Sequence, residues 1–238
     1  MASPYQDRVA LITGGTGALG RAVVRHFLDG GAKVHVSWVV AGEVERLQAS
    51  LGADFPRLTM HRADLTQEED VAALFEAIEE ADGGVDVLAN IVGGFFYAAL
   101  EDTESTIWRR MLEMNATTCF LCCRAAAPAM KRRGGGRIVN VAAMPALLRG
   151  AANMSAYAAS KAAVLNFSHS LAAELGPEGI RVNVIVPTII DTPANHEAMP
   201  DADTSTWLDP ADIAAVVGFL ASDAGRIVNG SELVLYQS

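Results

Sequence analysis

The sequence predicts an α/β domain built on a parallel sheet covered by helices on both faces. Three observations carry that expectation. Short apolar runs alternate with longer helix-like stretches along the chain, the pattern of strands buried on both faces by their crossovers. The first apolar run passes straight into a glycine-rich turn and then a helix. Half of the 238 residues are hydrophobic, ample for one substantial core.

Residues 1–6 are expected to form a loose terminus, with a single domain over 7–238. Arg8–Thr13 reads as the first strand. The turn Gly14-Gly15-Thr16-Gly17-Ala18-Leu19-Gly20 follows, then a helix over 21–29. Strand, glycine-rich turn and helix make the dinucleotide-binding pattern. The glycines let the backbone approach a pyrophosphate, and the helix N-terminus offers free N–H groups to its charge. Gly14, Thr16, Gly17, Leu19 and Gly20 are therefore candidate cofactor-binding residues; a plain tight turn is the simpler alternative.

Lys33–Trp38 is the second strand. An acid at its end would select NAD through the adenosine ribose. Trp38 stands there instead, with Glu43 and Glu45 just beyond on the next helix, so the choice between NAD and NADP stays open. The third strand covers 58–64 and ends at Asp64, followed by Leu65. Asp64 either meets the adenine or caps the helix that starts near Gln67.

That helix runs to about Ala81, Gly83-Gly84 breaks it, and 85–91 forms the fourth strand. Ligands of open α/β sheets bind at the carboxyl ends of strands. This makes Asn90, Val92 and Gly93 candidates for the cofactor and Phe95 a candidate wall for a flat ring; Phe95 and Phe96 could equally fold onto the core. A long helix is expected over 103–132. Asn115 in its middle is a poor helix residue that suits a local break or a water network. Pro128 is a point where the helix would kink or end.

Residues 137–141 form the fifth strand and 181–186 the sixth, which ends at Pro187-Thr188-Ile189-Ile190-Asp191-Thr192-Pro193. The polar, turn-rich segment 194–209 reads as a mobile lid. A helix over 210–222 and a strand over 232–236 close the chain. No second domain and no internal repeat is evident.

Between the fifth and sixth strands lies Ser155-Ala156-Tyr157-Ala158-Ala159-Ser160-Lys161, opening a helix to Leu175. Residues four apart share a helix face, so Tyr157 and Lys161 stand side by side. A neighbouring cation favours the phenolate and lowers the tyrosine's pKa, which would tune a proton donor toward neutral pH. The plain alternative is a surface pair that happens to share a face.

The formal net charge of −10 argues against a nucleic-acid surface. No apolar run reaches membrane-spanning length and no charged-then-apolar leader opens the chain; the expectation is a cytoplasmic protein. Cys119, Cys122 and Cys123 share one helical face with no histidine near in sequence. Buried core thiols are expected there, not a metal site.

Taken together, Thr13 to Gly20, Asp64, Asn90, Asn115, Tyr157-x-x-x-Lys161 and Pro187 to Thr192 resemble the short-chain dehydrogenase/reductase family over nearly the whole chain. The resemblance implies a doubly wound Rossmann sheet of seven strands in the order 3-2-1-4-5-6-7. It also implies an NAD(P)(H) cofactor, hydride transfer to or from a carbonyl-like group of a small molecule, and a homo-oligomer, dimer or tetramer, built on the long helices. Tyr157 would be the proton donor. Lys161 would bind the nicotinamide ribose, Asn115 would hold a water in the proton path, and Ile190 and Thr192 would contact the nicotinamide amide. Asp64 would meet the adenine, and Asn90 would brace the central strand.

Departures from the pattern are specific. Ala18 takes the place of the usual middle glycine, Asn90 is followed by Ile91-Val92-Gly93, and Pro187 by Thr188. The serine that polarises the substrate carbonyl falls at Ala143, and losing one such donor costs about 10²–10³ in turnover. One branch, the quinonoid dihydropteridine reductases, is similar at Gly93-Gly94-Phe95, at Ala143-x-x-Ala146-Leu147-x-x-Gly150 and at Met154-x-x-Tyr157-x-x-x-Lys161. It is also similar along Asp191-Thr192-Pro193-x-Asn195-x-x-Met199-Pro200-x-Ala202-Asp203-x-x-x-Trp207.

Three functions follow. The first is a reductase of a small planar, quinonoid or pterin-like substrate lodged near Phe95, Met144 and Met199. The second is an alcohol/ketone (3-oxoacyl-type) dehydrogenase in which Ser155 or Thr188 replaces the serine. The third is an NAD(P)-binding protein of low activity.

Overall fold

β1 (Val9–Thr13) is buried along its whole length, and its residues serve two cores alternately. Ala10 and Ile12 pack beneath α1 (Ala18–Asp29), α2 (Ala41–Leu51) and α8 (Pro210–Ala221). Val9 and Leu11 pack beneath α3 (Glu68–Asp82), α5 (Thr118–Arg132) and α6 (Ser155–Leu175). A strand alternates its side chains with period two, so an unbroken apolar run has to be covered on both sides. Leu11 and Leu88 are fully buried neighbours, and truncating either to alanine should cost about 2–5 kcal/mol.

The remaining strands are β2 (Lys33–Trp38), β3 (Leu58–Arg62), β4 (Val87–Asn90), β5 (Gly136–Val141), β6 (Ile180–Pro187) and β7 (Glu232–Leu235). All seven pair in parallel in the order 3-2-1-4-5-6-7. The order reverses between β1 and β4, which opens a crevice at their carboxyl ends. This computed structural model describes residues 3–148 and 150–237. Among them, no helix is long and apolar enough to cross a membrane.

Local chemistry sets several boundaries. Gly83 ends α3 with φ at 73°, the left-handed cap that glycine adopts without penalty. Asp209 caps α8 by accepting from the Ala211 N–H, with Pro210 at the first helical position. β3 stops at Arg62, before the expected Asp64, because the Asp64 N–H turns to the Asp70 carboxylate at 2.8 Å.

Three expectations need correction. The N-terminus is not loose at Tyr5, which is 3 % exposed. Its N–H donates to Gly30 at 3.0 Å and its hydroxyl lies 3.1 Å from His26; residues 1 and 2 lie outside the described residues. The long helix begins at Ser105 as α4 (Ser105–Leu112), widens into a π turn at Glu113–Thr117, and continues as α5 through Pro128 to Arg132. Pro128 sits on the exposed side, where water can satisfy the carbonyl its ring leaves unpaired. The lid segment is anchored at its far end: Trp207 is 4 % exposed, Leu208 joins the core, and Leu208 bonds to Ile189 and Asp191. Ahead of it lies the short helix α7 (Pro193–Ala198).

Candidate active site

The glycine-rich turn lies at the mouth of the crevice. Gly14 adopts φ of 63°, a left-handed conformation costly for other residues. A Cβ on Gly20 would stand 2.1 Å from the Gly14 carbonyl, so the first turn of α1 rests directly on the loop. Gly17 is the N-cap of α1 and offers no side chain to it, and the first turn carries no acid. The N–H groups at that helix end are thus open to an anion, and Gly17 serves despite Ala18. These features fit a dinucleotide pyrophosphate. Thr16 is buried on the turn; its hydroxyl donates to Glu43 at 2.8 Å, and its carbonyl accepts from Arg21 at 2.8 Å. Leu19 faces the core.

Behind the turn, the Thr13 hydroxyl accepts the N–H groups of Ile91 and Val92 at 3.0 and 3.3 Å. It thereby ties the ends of β1 and β4 together. Asn90 donates to Asn140 at 2.9 Å, and Asn140 donates to Ser168 at 2.9 Å. This buried polar chain links β4, β5 and α6. Asn90 also reaches the Cys123 sulfur at 3.3 Å. All three cysteines are buried and free, and burial pushes the Cys123 thiol up, so they belong to the packing.

Tyr157 and Lys161 occupy the first turns of α6. Lys161 is 5 % exposed, and its Nζ donates to the Val141 carbonyl at 2.9 Å. Burial pushes its pKa down to about 8. Burial likewise pushes the half-buried Tyr157 phenol up to about 12. This reverses the expected lowering of Tyr157: with the ammonium engaged by Val141, desolvation rather than the cation sets the phenol's acidity.

Asn115 sits on the π turn, a feature frequent at functional sites. Its Oδ1 accepts the Gly94 N–H at 2.9 Å, and its Nδ2 donates to the Gly94 carbonyl at 3.0 Å and to Ser160 Oγ at 2.9 Å. Both amide protons are therefore engaged by the protein, which makes the side chain a clamp on the loop after β4. A Cβ on Gly93 would stand 2.6 Å from Asn115 Oδ1 and 3.0 Å from Lys161 Nζ. Only a glycine passes between them.

Phe95 is 58 % exposed and packs edge-on against the Tyr157 ring, centroids 4.9 Å apart at 82°. The loop is held by Asn153, whose amide donates to the Tyr97 hydroxyl at 2.9 Å and whose carbonyl accepts from Ala98 at 2.8 Å. Ala143, past the end of β5, is extended and buried and has no hydroxyl to offer. Of the two expected substitutes, Ser155 is exposed at the start of α6. Thr188 Oγ1 is buried with no partner among the described residues.

After β6, with Pro187 buried at its end, the Ile190 carbonyl accepts from the Asn195 amide at 2.8 Å. Thr192 caps α7, its oxygen accepting from the Asn195 N–H at 3.2 Å, which leaves its hydroxyl proton free to donate. Met199 closes α7 and is half-buried. Met144 packs against the small core of Ala142, Leu165, Val184 and Val186. On the other side of the crevice, Trp38 ends β2 half-buried. Asp64 Oδ1 accepts from the N–H and hydroxyl of Thr66 at 3.0 and 2.7 Å, a turn-forming use of the carboxylate. Leu65 is buried in the core.

The structure thus joins Gly93, Asn115, Tyr157, Lys161 and Phe95 into one cluster and sets Thr16, Trp38 and Asp64 along the opposite arm. Ser160 and Thr13 hold bridging roles that the sequence does not show. Ser160 links Asn115 to the Tyr157 carbonyl, which its hydroxyl meets at 2.7 Å; it shares its buried face with Lys161 and Ser168, so no lone polar residue marks it in the sequence. Thr13 ends a buried strand, and nothing in its spacing shows that it bridges to a segment 78 residues away.

The chain is similar to known proteins over most of its length. The sequence model described as short chain dehydrogenase matches residues 8–203. D-threitol dehydrogenase of Mycolicibacterium smegmatis is 35% identical, over 96% of this chain and 91% of the relative. The 3-alpha-(or 20-beta)-hydroxysteroid dehydrogenase of Mycobacterium tuberculosis is 35% identical, over 96% and 87%. Cis-4-hydroxycyclohexanecarboxylate dehydrogenase of Sinomonas cyclohexanicum is 33% identical, over 99% and 97%. Among solved structures, a short-chain dehydrogenase/reductase homologue from Burkholderia xenovorans superposes with a TM-score of 0.88 at 30% identity, covering 98% of this chain and 96% of the other.

Proposed function

The chain belongs to the short-chain dehydrogenase/reductase family, and on that footing we propose that it is an NAD(P)H-dependent reductase of a small, planar, ring-conjugated substrate of the quinonoid or pterin-like kind. One observation carries the proposal: a buried methyl, Ala143, where a hydroxyl would polarise a ketone, in the same site as the exposed ring of Phe95 set against Tyr157. Without that hydroxyl a simple ketone forfeits about 10²–10³ in rate. A conjugated ring spreads the developing charge over several atoms and needs the donor less. Phe95 gives such a ring an apolar surface to lie against, and Met144 and Met199 would complete the pocket.

The residues fit a nicotinamide dinucleotide, which when bound would supply a hydride. The glycine-rich turn would hold its pyrophosphate, Gly93 would let the backbone approach the cofactor, Lys161 would donate to the nicotinamide ribose and Thr192 to the nicotinamide amide. Tyr157, with its phenol pushed up to about 12, stays protonated at neutral pH. It therefore carries the proton that reduction requires, while its burial also makes it a weaker acid than a free phenol.

Stopped-flow oxidation of NADH and NADPH by a quinonoid dihydropterin tests this, with Tyr157→Phe beside the wild type. Turnover that drops by about 10² or more in the variant supports the role; an unchanged rate removes Tyr157 from the mechanism.

A second reading has its own observation. The relatives compared above act, by their names, on hydroxy compounds: a sugar alcohol, a hydroxysteroid and a hydroxycyclohexanecarboxylate. A dehydrogenase of a secondary alcohol would then need Ser155 or Thr188 in place of the missing serine. Turnover of an alcohol and ketone panel, lost in Ser155→Ala or Thr188→Val, would establish it. Tight cofactor binding with no turnover in either assay would leave a nucleotide-binding protein. Assembly as a dimer or tetramer would use the helical face bearing the exposed Trp108 and Phe120, and light scattering on Phe120→Glu tests that face.

A further inference from the structure

We infer that Glu43 sets the cofactor preference of this site, favouring the dinucleotide with a free adenosine ribose (NADH) over its 2′-phosphorylated form (NADPH). The inference rests on the nicotinamide-dependent function proposed above. In dinucleotide-binding α/β folds, the acid that takes the ribose hydroxyls stands about twenty residues past the glycine turn. Here Trp38 fills the end of β2, and the next residues, Val39 and Val40, are 56% and 51% exposed. Neither valine carries a charge or a side-chain acceptor.

The first acid beyond them is Glu43, in the first turn of α2. A glutamate at the third helical position commonly folds back to cap its own helix. Glu43 does not: Oε2 accepts the Thr16 hydroxyl at 2.8 Å, joining α2 to the glycine-rich turn. Thr16 is 2% exposed, so its hydroxyl has no competing solvent, and it fixes the carboxylate beside the loop that would carry the pyrophosphate. Oε1 has no hydrogen-bond partner among the described residues. A carboxylate with one oxygen pinned and the other free matches the donating hydroxyls of a ribose. A phosphate there would bring a further charge of about −1.5 to −2 against it.

The cation on the same turn is Arg21, and its guanidinium is committed to the Thr16 carbonyl at 2.8 Å. That bond holds it on the backbone of the turn.

The test is a pair of dissociation constants, for NADH and NADPH, measured by calorimetry on the full chain. Wild type should bind NADH about tenfold or more tighter, the scale of one like-charge contact avoided. Glu43→Gln keeps an acceptor for Thr16 and for the ribose but removes the charge. NADPH affinity should then rise about tenfold while NADH changes by less than about threefold. Thr16→Val, which frees the carboxylate from the turn, should narrow the ratio by a smaller factor and keeps the test open if Glu43→Gln fails to fold. Equal affinities or an NADPH preference in wild type, or an unchanged ratio in both variants, overturns the inference. Failure of wild type to bind either dinucleotide overturns the functional reading beneath it.

Discussion

Replacing Lys161 by methionine should make the protein more stable and inactive, and the gain in stability should vanish in alkali. The unfolded chain holds the lysine proton up to its ordinary pKa of 10.5, whereas burial lowers the folded value to about 8. Between those values the unfolded state binds more protons, so stability rises with pH. Below about 8 both states are charged, and the folded state bears the whole cost of a buried ammonium, about 3 kcal/mol at about 1.4 kcal/mol per pH unit. Methionine removes that cost but orphans the Val141 carbonyl, which Nζ now satisfies at 2.9 Å; losing that bond costs about 1 kcal/mol. The variant should gain about 2 kcal/mol at neutral pH, or about 4–8 °C in Tm for a chain of this size. Above pH about 10.5 it should lie about 1 kcal/mol below wild type. Urea unfolding followed by circular dichroism at neutral, mildly alkaline and strongly alkaline pH measures the difference, and cofactor oxidation confirms the lost activity. A stability difference that does not change with pH would refute the reasoning.

Other perturbations probe the rest of the site and the scaffold. Gly93→Ala drives a methyl to within 2.6 Å of Asn115 Oδ1; turnover should fall by more than about tenfold, since misplacing a positioning element by 1 Å can cost about 10². Steady-state kinetics of a variant with wild-type circular dichroism checks this. Phe95→Ala removes the edge-on contact with Tyr157 and should raise KM for planar substrates by roughly threefold to tenfold, the scale of about 0.5–1.5 kcal/mol for an aromatic pair. An unchanged KM would take Phe95 out of the pocket. His35 lies 2.9 Å from both His61 and Asp82. Burial lowers the pKa of both histidines, His61 further through the charge of His35. Their folded values lie below the unfolded value near 6.5, so the stability they contribute is present above it and lost as pH falls through the folded values. Urea midpoints should decline from neutral pH toward about pH 5 in wild type and less steeply in His35→Gln/His61→Gln; parallel declines would acquit the pair.

Sequence alone determined the sheet and its wrapping, because strands buried on both faces must be apolar throughout and their crossovers must be helices. It also fixed the glycine turn, since Gly14 and Gly20 occupy positions where a Cβ strains the backbone or strikes it. The pairing of Tyr157 with Lys161 on one face followed from helical spacing. Its electrostatics did not, because spacing shows which groups are neighbours and says nothing of how much water they lose. Burial, set by the other elements packed over the start of α6, decided that the phenol rises and the ammonium falls. The same limit applies to Asn115. Its poor fit to a helix was legible, yet only the folded chain showed its amide clamping Gly94 and reaching Ser160, 45 residues on. Glu43 marks the boundary most sharply: a residue at the start of an ordinary helix in sequence, it gains its meaning from the Thr16 hydroxyl that tertiary packing brings to it. Local rules propagate along the chain, whereas charge, desolvation and hydrogen bonding act through space, and the site is made of the second kind.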